Sequence, residues 1–295
     1  MDLPDRDGFV RVRGKRLYYR RCGSPVRGVV LTLHGGPGLT HEYLTPLADL
    51  AGAGYEVVFY DQLGCGDSER PASYKDYTIR SAADDAEELR RRLKLGRVHL
   101  FGHSYGGALA LETALGHPRG LRSLTVAGGF ASMTTLWKGD RRRILDLSVP
   151  NRRAYIRASQ TGVDTPAALR AYEEFRRRYT EHVENEPYEV SRTLARGNPR
   201  ISVAMGFTQP QIFQHGFRVG TMAGWDVTGE LSRIRVPTLV TVGEYDHVVP
   251  ACAREIQRGI PRSRLVVQRG QGHMPFFEQR DRYVSLLRGF LDRVR

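Results

Sequence analysis

The sequence predicts an α/β fold with a mostly parallel central sheet flanked by helices and an inserted helical cap, and three observations carry that expectation. Short apolar runs alternate with helical patterns, the signature of βα units and a parallel sheet. One such run passes through Gly102-His103-Ser104-Tyr105-Gly106 straight into a helix of small residues. From about Ala131 to Trp225 the alternation stops, and the chain becomes polar, arginine-rich and helical in pattern. The expected organisation is a core of residues 1–130 and 226–295 with a cap of residues 131–225.

Taken in order, residues 9–22 alternate in a strand-like way around Arg13-Gly14, which predicts a hairpin leading into the sheet. Residues 28–33 form a buried-strand run that ends at a glycine-rich segment, and residues 55–61 form the next strand. Residues 81–95 read as a helix with acids early and basics late, and Glu87/Arg91 and Glu88/Arg92 stand four apart as candidate ion pairs. Strands follow over 98–101 and 121–127, with a helix over 108–115 between them. In the cap, Thr165-Pro166 is a helix start, and Tyr172, Phe175, Tyr179 and Val183 recur on one face as cap core. The β/α pattern resumes from Pro237, with strands over 239–242 and 264–267 and a closing helix over 280–294.

Composition narrows the class. The chain has 295 residues and a formal net charge of +13, supplied almost entirely by arginine, with lysine only at Lys15, Lys75, Lys94 and Lys138. Such an excess attracts acidic partners over long range without identifying them. The densest basic run is Arg141-Arg142-Arg143 with Arg152, Arg153 and Arg157. Its first reading is a solvated helix face, and an acidic substrate or acidic carrier protein is the alternative. No aromatic-interleaved basic face or recognisable module suggests nucleic acid. The amino-terminal residues lack a signal-peptide pattern and no run of about 18 apolar residues is present, so a soluble, cytoplasmic protein without a membrane partner is expected. Cys22, Cys65 and Cys252 are odd in number and far apart, which suggests neither disulfides nor a metal site.

Four motifs stand in the order an acyl-transfer site needs: His34-Gly35-Gly36-Pro37-Gly38, Gly102-His103-Ser104-Tyr105-Gly106, Gly243-Glu244-Tyr245-Asp246 and Gly272-His273. A serine on a sharp strand-to-helix turn projects its Oγ from the sheet edge, with glycines avoiding clashes on either side. Serine needs an imidazole to remove its proton, and the imidazole needs a carboxylate to hold its tautomer. Ser104 is thus the expected nucleophile, His273 the base and Asp246 the acid, with Glu244 a nearby competitor for the acid role. The backbone amides of Gly36 and Tyr105 are the expected oxyanion donors. A phosphate-cradle reading of the glycine-rich loop fails because its lysine is missing. Epoxide hydrolase or dehalogenase chemistry would need a carboxylate where Ser104 stands. A non-catalytic binding protein is disfavoured because no triad residue is missing. An imidazole base predicts loss of activity on acidification through an apparent pKa of about 6 to 7.

These motifs, together with Asp61-Gln62-Leu63-Gly64-Cys65-Gly66-Asp67-Ser68 and the cap stretch Ala171-Tyr172-Glu173-Glu174-Phe175, resemble the prolyl aminopeptidase (proline iminopeptidase) family of α/β-hydrolases over most of the chain. The resemblance implies an α/β-hydrolase fold, a helical cap over a cytoplasmic site, and removal of an N-terminal residue, often proline, without metal or cofactor. It places Cys65 near the site, although a small buried thiol is the simpler reading. His34, Gly35, His247 and Trp225 are the expected substrate contacts, and a small molecule or short peptide is the expected substrate.

The chain departs from the family at one point. Aminopeptidase members hold the substrate amine with one acid directly after the triad aspartate and another late in the cap, before a Trp-Asp pair like Trp225-Asp226. Here His247 follows Asp246, and no Asp or Glu occurs from Met205 to Trp225. An ammonium buried without a counter-charge is strongly disfavoured. Either the substrate is an amine-free amide, ester or thioester, small or carrier-bound, or cap acids such as Glu173, Glu174, Glu181 and Glu184 substitute in a true aminopeptidase.

Overall fold

In the computed structural model, which describes residues 5–182, 186–207 and 219–294, the chain forms an eight-stranded sheet. Its strands are β1 (Asp5–Val12), β2 (Lys15–Cys22), β3 (Gly28–Leu33), β4 (Tyr55–Tyr60), β5 (Val98–His103), β6 (Leu121–Ala127), β7 (Thr238–Gly243) and β8 (Ser263–Gln268). Their order is β1-β2-β4-β3-β5-β6-β7-β8. The first hairpin is antiparallel and joins β4 antiparallel, and every later pairing is parallel. The hairpin turns at Arg13 and Gly14, whose φ values of 47° and 82° are both positive. That is the primed-turn geometry whose twist matches the strands it joins.

Strands β4, β5 and β7 are buried throughout, as expected of parallel strands covered on both faces. One face carries α1 (Ile79–Arg92), α2 (Tyr105–Gly116) and α8 (Pro250–Gly259), which share a core with Leu31, Leu100 and Val126. The other carries the segment Glu42–Ala53 and the closing helix α9 (Arg280–Leu291), packed around Tyr43, Phe59, Phe101 and Phe276. The segment Glu42–Ala53 is 3-10 helical with Pro46 inside it, and the sequence reading assigned no element there. Proline and the tighter winding break the 3.6 periodicity that would have announced it.

Helix α1 starts two residues earlier than expected, because Thr78 and Ser81 form a reciprocal capping box. Glu88 pairs with Arg92 as expected, but Glu87 turns to Arg90 instead of Arg91 and meets its guanidinium through both oxygens. The two-pronged geometry of that contact outweighs the single bond available at i,i+4.

Between β6 and β7 the described residues form α3 (Met133–Leu145), α4 (Val149–Thr161), α5 (Pro166–Tyr179), α6 (Tyr188–Arg196) and α7 (Pro199–Met205). This excursion leaves and rejoins the sheet at one point, where Ser132 and Asp226 make an antiparallel bridge flanked by the bonds Met133 N–H to Trp225 O and Val227 N–H to Ala131 O. Ile144, Leu147, Tyr155, Ala171 and Tyr179 give α3, α4 and α5 a core of their own. Tyr172 and Phe175 pack against it, and Val183 of the expected stripe lies outside the described residues. Among the described residues no helix is long and apolar enough to cross a membrane, and all three cysteines are free and buried.

A close backbone approach joins α2 to the end of β3. A Cβ added to Gly106 would lie 2.1 Å from the carbonyl oxygen of Leu33, a backbone atom that has no room to yield. Gly106→Ala should therefore cost about 3 kcal/mol or more of unfolding free energy. Gly116→Ala, at the open end of the same helix with nothing within 4 Å, should lie between neutral and about 1 kcal/mol stabilising. Urea unfolding of the two variants checks the contrast, and equal stabilities would refute it.

Candidate active site

Ser104 stands between β5 and α2 with φ 60° and ψ −126°, a conformation that a non-glycine residue adopts only under constraint from its surroundings. The constraint is visible on every side. The Ser104 N–H donates to the Ala127 carbonyl at 2.9 Å, and the Gly107 N–H donates to the Ser104 carbonyl at 2.8 Å. A Cβ at Gly102 would come 2.0 Å from the Gly106 carbonyl oxygen, and one at Gly35 would come 2.8 Å from the Ser104 Cβ. The glycines on both strands are what allow the serine to be pushed outward.

Asp246 and His273 lie beyond the ends of β7 and β8 and are nearly inaccessible, 0 % and 4 % exposed. The His273 Nδ1–H donates to Asp246 Oδ1 at 2.7 Å, and the same oxygen accepts the Val248 N–H at 2.7 Å. Glu244 is exposed and binds the Gly270 N–H instead, so Asp246 is the acid that reaches the imidazole. With Nδ1 committed, the ring leaves Nε2 for a proton-transfer partner. Burial drives the His273 pKa well below the ordinary imidazole value, and the nearby charge of His247 lowers it further. The neutral form is therefore kept to a lower pH than the sequence alone suggested.

The backbone of His273 is fixed from two directions. Its N–H donates to the Thr180 carbonyl at 2.9 Å, and its carbonyl accepts the His103 Nε2–H at 2.8 Å. His103 Nδ1 in turn meets the Tyr43 hydroxyl at 3.0 Å, and that hydroxyl oxygen accepts the Gly35 N–H at 2.6 Å. With His103 protonated on Nε2, Tyr43 donates to Nδ1 and every polar atom in the chain is satisfied. Thus one buried relay ties the glycine loop, the residue before Ser104 and the backbone of His273 together. The only sequence signal for it was His103 inside the serine motif.

A cavity of about 610 Å³ opens above Ser104, with Gly36 and Tyr105 in its wall. Among the described residues neither the Gly36 nor the Tyr105 amide has a hydrogen-bond acceptor. The remaining wall is mostly apolar, with Phe130 from the core, Leu136, Trp137 and Ile144 from α3, Tyr155 from α4, and Tyr172 and Phe175 from α5. Two of the residues expected to be cap core therefore also face the cavity. Its polar groups are Asp140, Arg141, Asp164, Thr180 and His247.

The expected substrate contacts separate on the structure. His247 lines the cavity, whereas His34, Gly35 and Trp225 do not. His34 is fully buried and faces the Asp61-Gln62 segment, and Trp225 donates its indole N–H to Glu112 at 3.0 Å and packs on Phe130. Nor do Glu173, Glu174 and Glu181, three of the four proposed substitute acids, line the cavity. Glu173 binds Arg176 and Arg177, Glu174 binds Ser148, Asn151 and Arg178, and Glu181 binds Arg176. Glu184 lies outside the described residues. The carboxylates that do line the cavity, Asp140 and Asp164, carried no local signal in the sequence. Cys65 is buried in the core, where desolvation pushes its thiol well above the ordinary value.

His247 packs between the Asp140 carboxylate and the His273 ring. Its Nδ1 meets Asp140 Oδ1 at 3.0 Å, its ring centroid is 4.3 Å from that of His273, and its N–H donates to the Tyr179 carbonyl at 3.1 Å. Burial opposes its charge, but the bond to Asp140 and the fields of Asp140 and Asp246 overcome this and raise its pKa. Arg143 does not belong to a free basic face. Its guanidinium donates to the carbonyls of Asp246 and Glu244 and lies 4.8 Å over the Tyr179 ring. Asp246, His247 and His273 also bring potential metal-binding atoms together, as do His41, Glu42 and Asp61. In the first group Asp246 Oδ1, His247 Nδ1 and His273 Nδ1 are engaged in the bonds just described, and in the second Glu42 is held by Arg192 and Arg196.

The profile of the alpha/beta hydrolase fold matches residues 28–279. The proline iminopeptidase of Saccharolobus solfataricus is 38 % identical over 292 residues, covering 98 % of this chain and 93 % of that protein. The proline iminopeptidase of Thermoplasma volcanium is 36 % identical, covering 97 % of each. Among solved structures, the proline iminopeptidase of Mycobacterium smegmatis superposes with a TM-score of 0.89 at 28 % identity, over 97 % of this chain and 98 % of that one. VinJ superposes with a TM-score of 0.91 at 29 % identity, over 98 % and 99 %.

The contact between the two imidazoles has a measurable sign. The field of the His247 imidazolium, a form that its raised pKa favours, holds the His273 pKa down. In His247→Gln that charge is removed and Asp140 loses its partner, and both changes favour the His273 imidazolium. The His273 pKa, followed by imidazole NMR, should rise relative to the parent, and a fall or no change would refute the coupling.

Proposed function

The chain belongs to the proline iminopeptidase family of α/β-hydrolases and is a hydrolase, and on that premise we propose that it cleaves acyl bonds through an acyl-enzyme on Ser104. Ser104 Oγ attacks the substrate carbonyl carbon while His273 Nε2 takes its proton, and Asp246 stabilises the imidazolium that forms. The tetrahedral oxyanion is met by the Gly36 and Tyr105 amides. As the intermediate collapses, the imidazolium returns its proton to the departing amine or alcohol. Water then repeats the sequence on the acyl-enzyme, releasing the acid and restoring the serine.

For the substrate we propose an amine-free amide, ester or thioester with a bulky apolar part. The observation that carries this is the His247–Asp140 pair, 3.0 Å apart in the cavity wall. The position after Asp246 offers an imidazole already joined to the nearest carboxylate, not a free acid. Much of the remaining wall is aromatic or aliphatic, the setting in which an unpaired ammonium is most costly. The helices between β6 and β7 act as a cap that supplies this wall. Arg141, in the wall and exposed, would suit an acidic group on a small substrate or on a carrier that delivers it.

A second reading, release of an N-terminal residue with a free amine, is favoured by the names of the relatives and by the carboxylates of Asp140 and Asp164 at the cavity. Paired substrates separate the two: proline 4-nitroanilide, its N-acetyl form and a short acyl 4-nitrophenyl ester. The amine-free reading expects turnover of the ester or the acetylated anilide with no preference for the free amine. A strong preference for free proline 4-nitroanilide, lost in Asp140→Asn or Asp164→Asn, would overturn it in favour of the second.

Two further outcomes test the chemistry. Ser104→Ala should lower kcat by about four orders of magnitude or more while leaving the unfolding midpoint near that of the parent, because the side chain acts in bond making more than in packing. Because burial holds the His273 pKa below its ordinary value, the acid limb of kcat/KM should fall below about pH 6.5. A limb above that value would count against His273 as the base.

A further inference from the structure

The segment Asp61 to Ser68 is as distinctive in the sequence as the serine motif, yet none of it lines the cavity. It follows β4, which lies beside β3 in parallel register, so its first residues sit next to the start of the glycine loop 34–41. Asp61 holds the far end of that loop. Its Oδ1 accepts both the His41 N–H, at 3.0 Å, and the His41 Nδ1–H, at 2.8 Å, while Oδ2 accepts the Asp67 N–H at 3.0 Å. The chain wraps so closely around the carboxylate that a Cβ at Gly66, where φ is +46°, would lie 2.1 Å from Oδ2.

Gln62 holds the near end. Its backbone N–H donates to His34 Nε2 at 3.0 Å, and its side-chain amide donates to the His34 carbonyl at 2.8 Å. The first of these bonds decides the tautomer of His34. Since Nε2 must accept, the ring proton resides on Nδ1, which lies 3.1 Å from the Gly35 carbonyl oxygen and donates to it. A carbonyl and the N–H of the same planar peptide point in opposite directions. Fixing the Gly35 carbonyl towards His34 therefore turns the Gly36 N–H away from His34 and towards the side where Gly36 lines the cavity.

We propose that Gln62, acting through the His34 imidazole, aims the Gly36 amide at the oxyanion, so that His34 is a positioning residue and not a substrate contact. The inference rests on the acyl-enzyme reading for its catalytic consequence, while its geometry can be tested without it. Desolvation lowers the His34 pKa to about 4, which keeps the ring neutral and able to accept from Gln62 across the working range. Together Asp61 and Gln62 grip the loop at both ends, which accounts for the motif's distance from the cavity.

Turnover of the short acyl 4-nitrophenyl ester, inhibition by phenylboronic acid, which forms a tetrahedral adduct on a reactive serine, and imidazole ¹⁵N spectra give three independent readouts. His34→Leu removes both ring nitrogens. It should lower kcat by about 100-fold and weaken the boronic acid by a similar factor, with KM changed by less than about three-fold, as expected for loss of a transition-state donor. His34→Gln, which can still accept from Gln62 and donate to Gly35, should recover roughly ten-fold of that loss. If His34→Leu fails to fold, Gln62→Met, which removes only the side-chain strap, should show the same pattern with a smaller loss of kcat. The wild-type spectra should show His34 as the neutral Nδ1–H tautomer from pH 7 down to about pH 5. An Nε2–H tautomer, a normal kcat in His34→Leu, or a rise in KM with kcat unchanged would each overturn the proposal. Ester turnover that survives Ser104→Ala would instead overturn the acyl-enzyme reading, leaving the tautomer to decide the loop geometry.

Discussion

Everything at the site depends on one steric constraint, the approach of backbone to backbone around Ser104. At Gly102 and Gly106 even a methyl group would overlap a carbonyl oxygen, and at Gly35 it would meet the serine side chain. β3, β5 and α2 are consequently held closer together than side chains permit, and the serine, at φ 60°, is the residue displaced outward. The strain is sustained by the surrounding fold, because α2 is buried along most of its length between the sheet and α1. The same proximity brings the Gly35-Gly36 peptide beside the serine. Ser104 and the glycine loop are therefore parts of one packing arrangement.

The imidazole and its acid depend on a second arrangement, in which the helices after β6 take part directly. Carbonyls at Tyr179 and Thr180, where α5 ends, accept the N–H groups of His247 and His273, and Arg143 of α3 donates to two carbonyls of the Asp246 loop. Substitution in these helices can consequently alter both the cavity and the orientation of the proposed base. The His247–Asp140 pair lies where the two meet, one ring away from His273. A change in the charge of this pair reaches the cavity and the His273 imidazole together, because both adjoin the same buried, weakly screened region.

The arginine excess looks different once folded. Arg143 is engaged with the acid loop, Arg152 binds the Leu145 carbonyl, and Arg176 gathers Glu173, Glu181 and Glu186. Much of the charge on the helices between β6 and β7 thus satisfies backbone carbonyls and carboxylates within the chain. Arg141, Arg142, Arg153 and Arg157 remain exposed, a smaller basic face than the sequence suggested.

The sequence by itself determined the strand and helix alternation, the hairpin, the elbow and the order of serine, acid and base, because each is written in local periodicity or in glycines required by local backbone geometry. It also showed that a histidine, His247, directly follows Asp246. What it did not determine was where side chains from distant segments meet. Asp140 and His247 are 107 residues apart, His103 and the His273 carbonyl 170, and Gln62 and His34 28. None of these contacts leaves a trace in either chain segment alone, so His34 read as a substrate contact and the acids of α5 read as candidates for the cavity. Only the tertiary structure turned His34 inward, committed Glu173 and Glu174 to neighbouring side chains, and brought Asp140 and Asp164 to the cavity. The direction of a side chain on a helix is decided by what packs against it, and packing is a property of the whole fold.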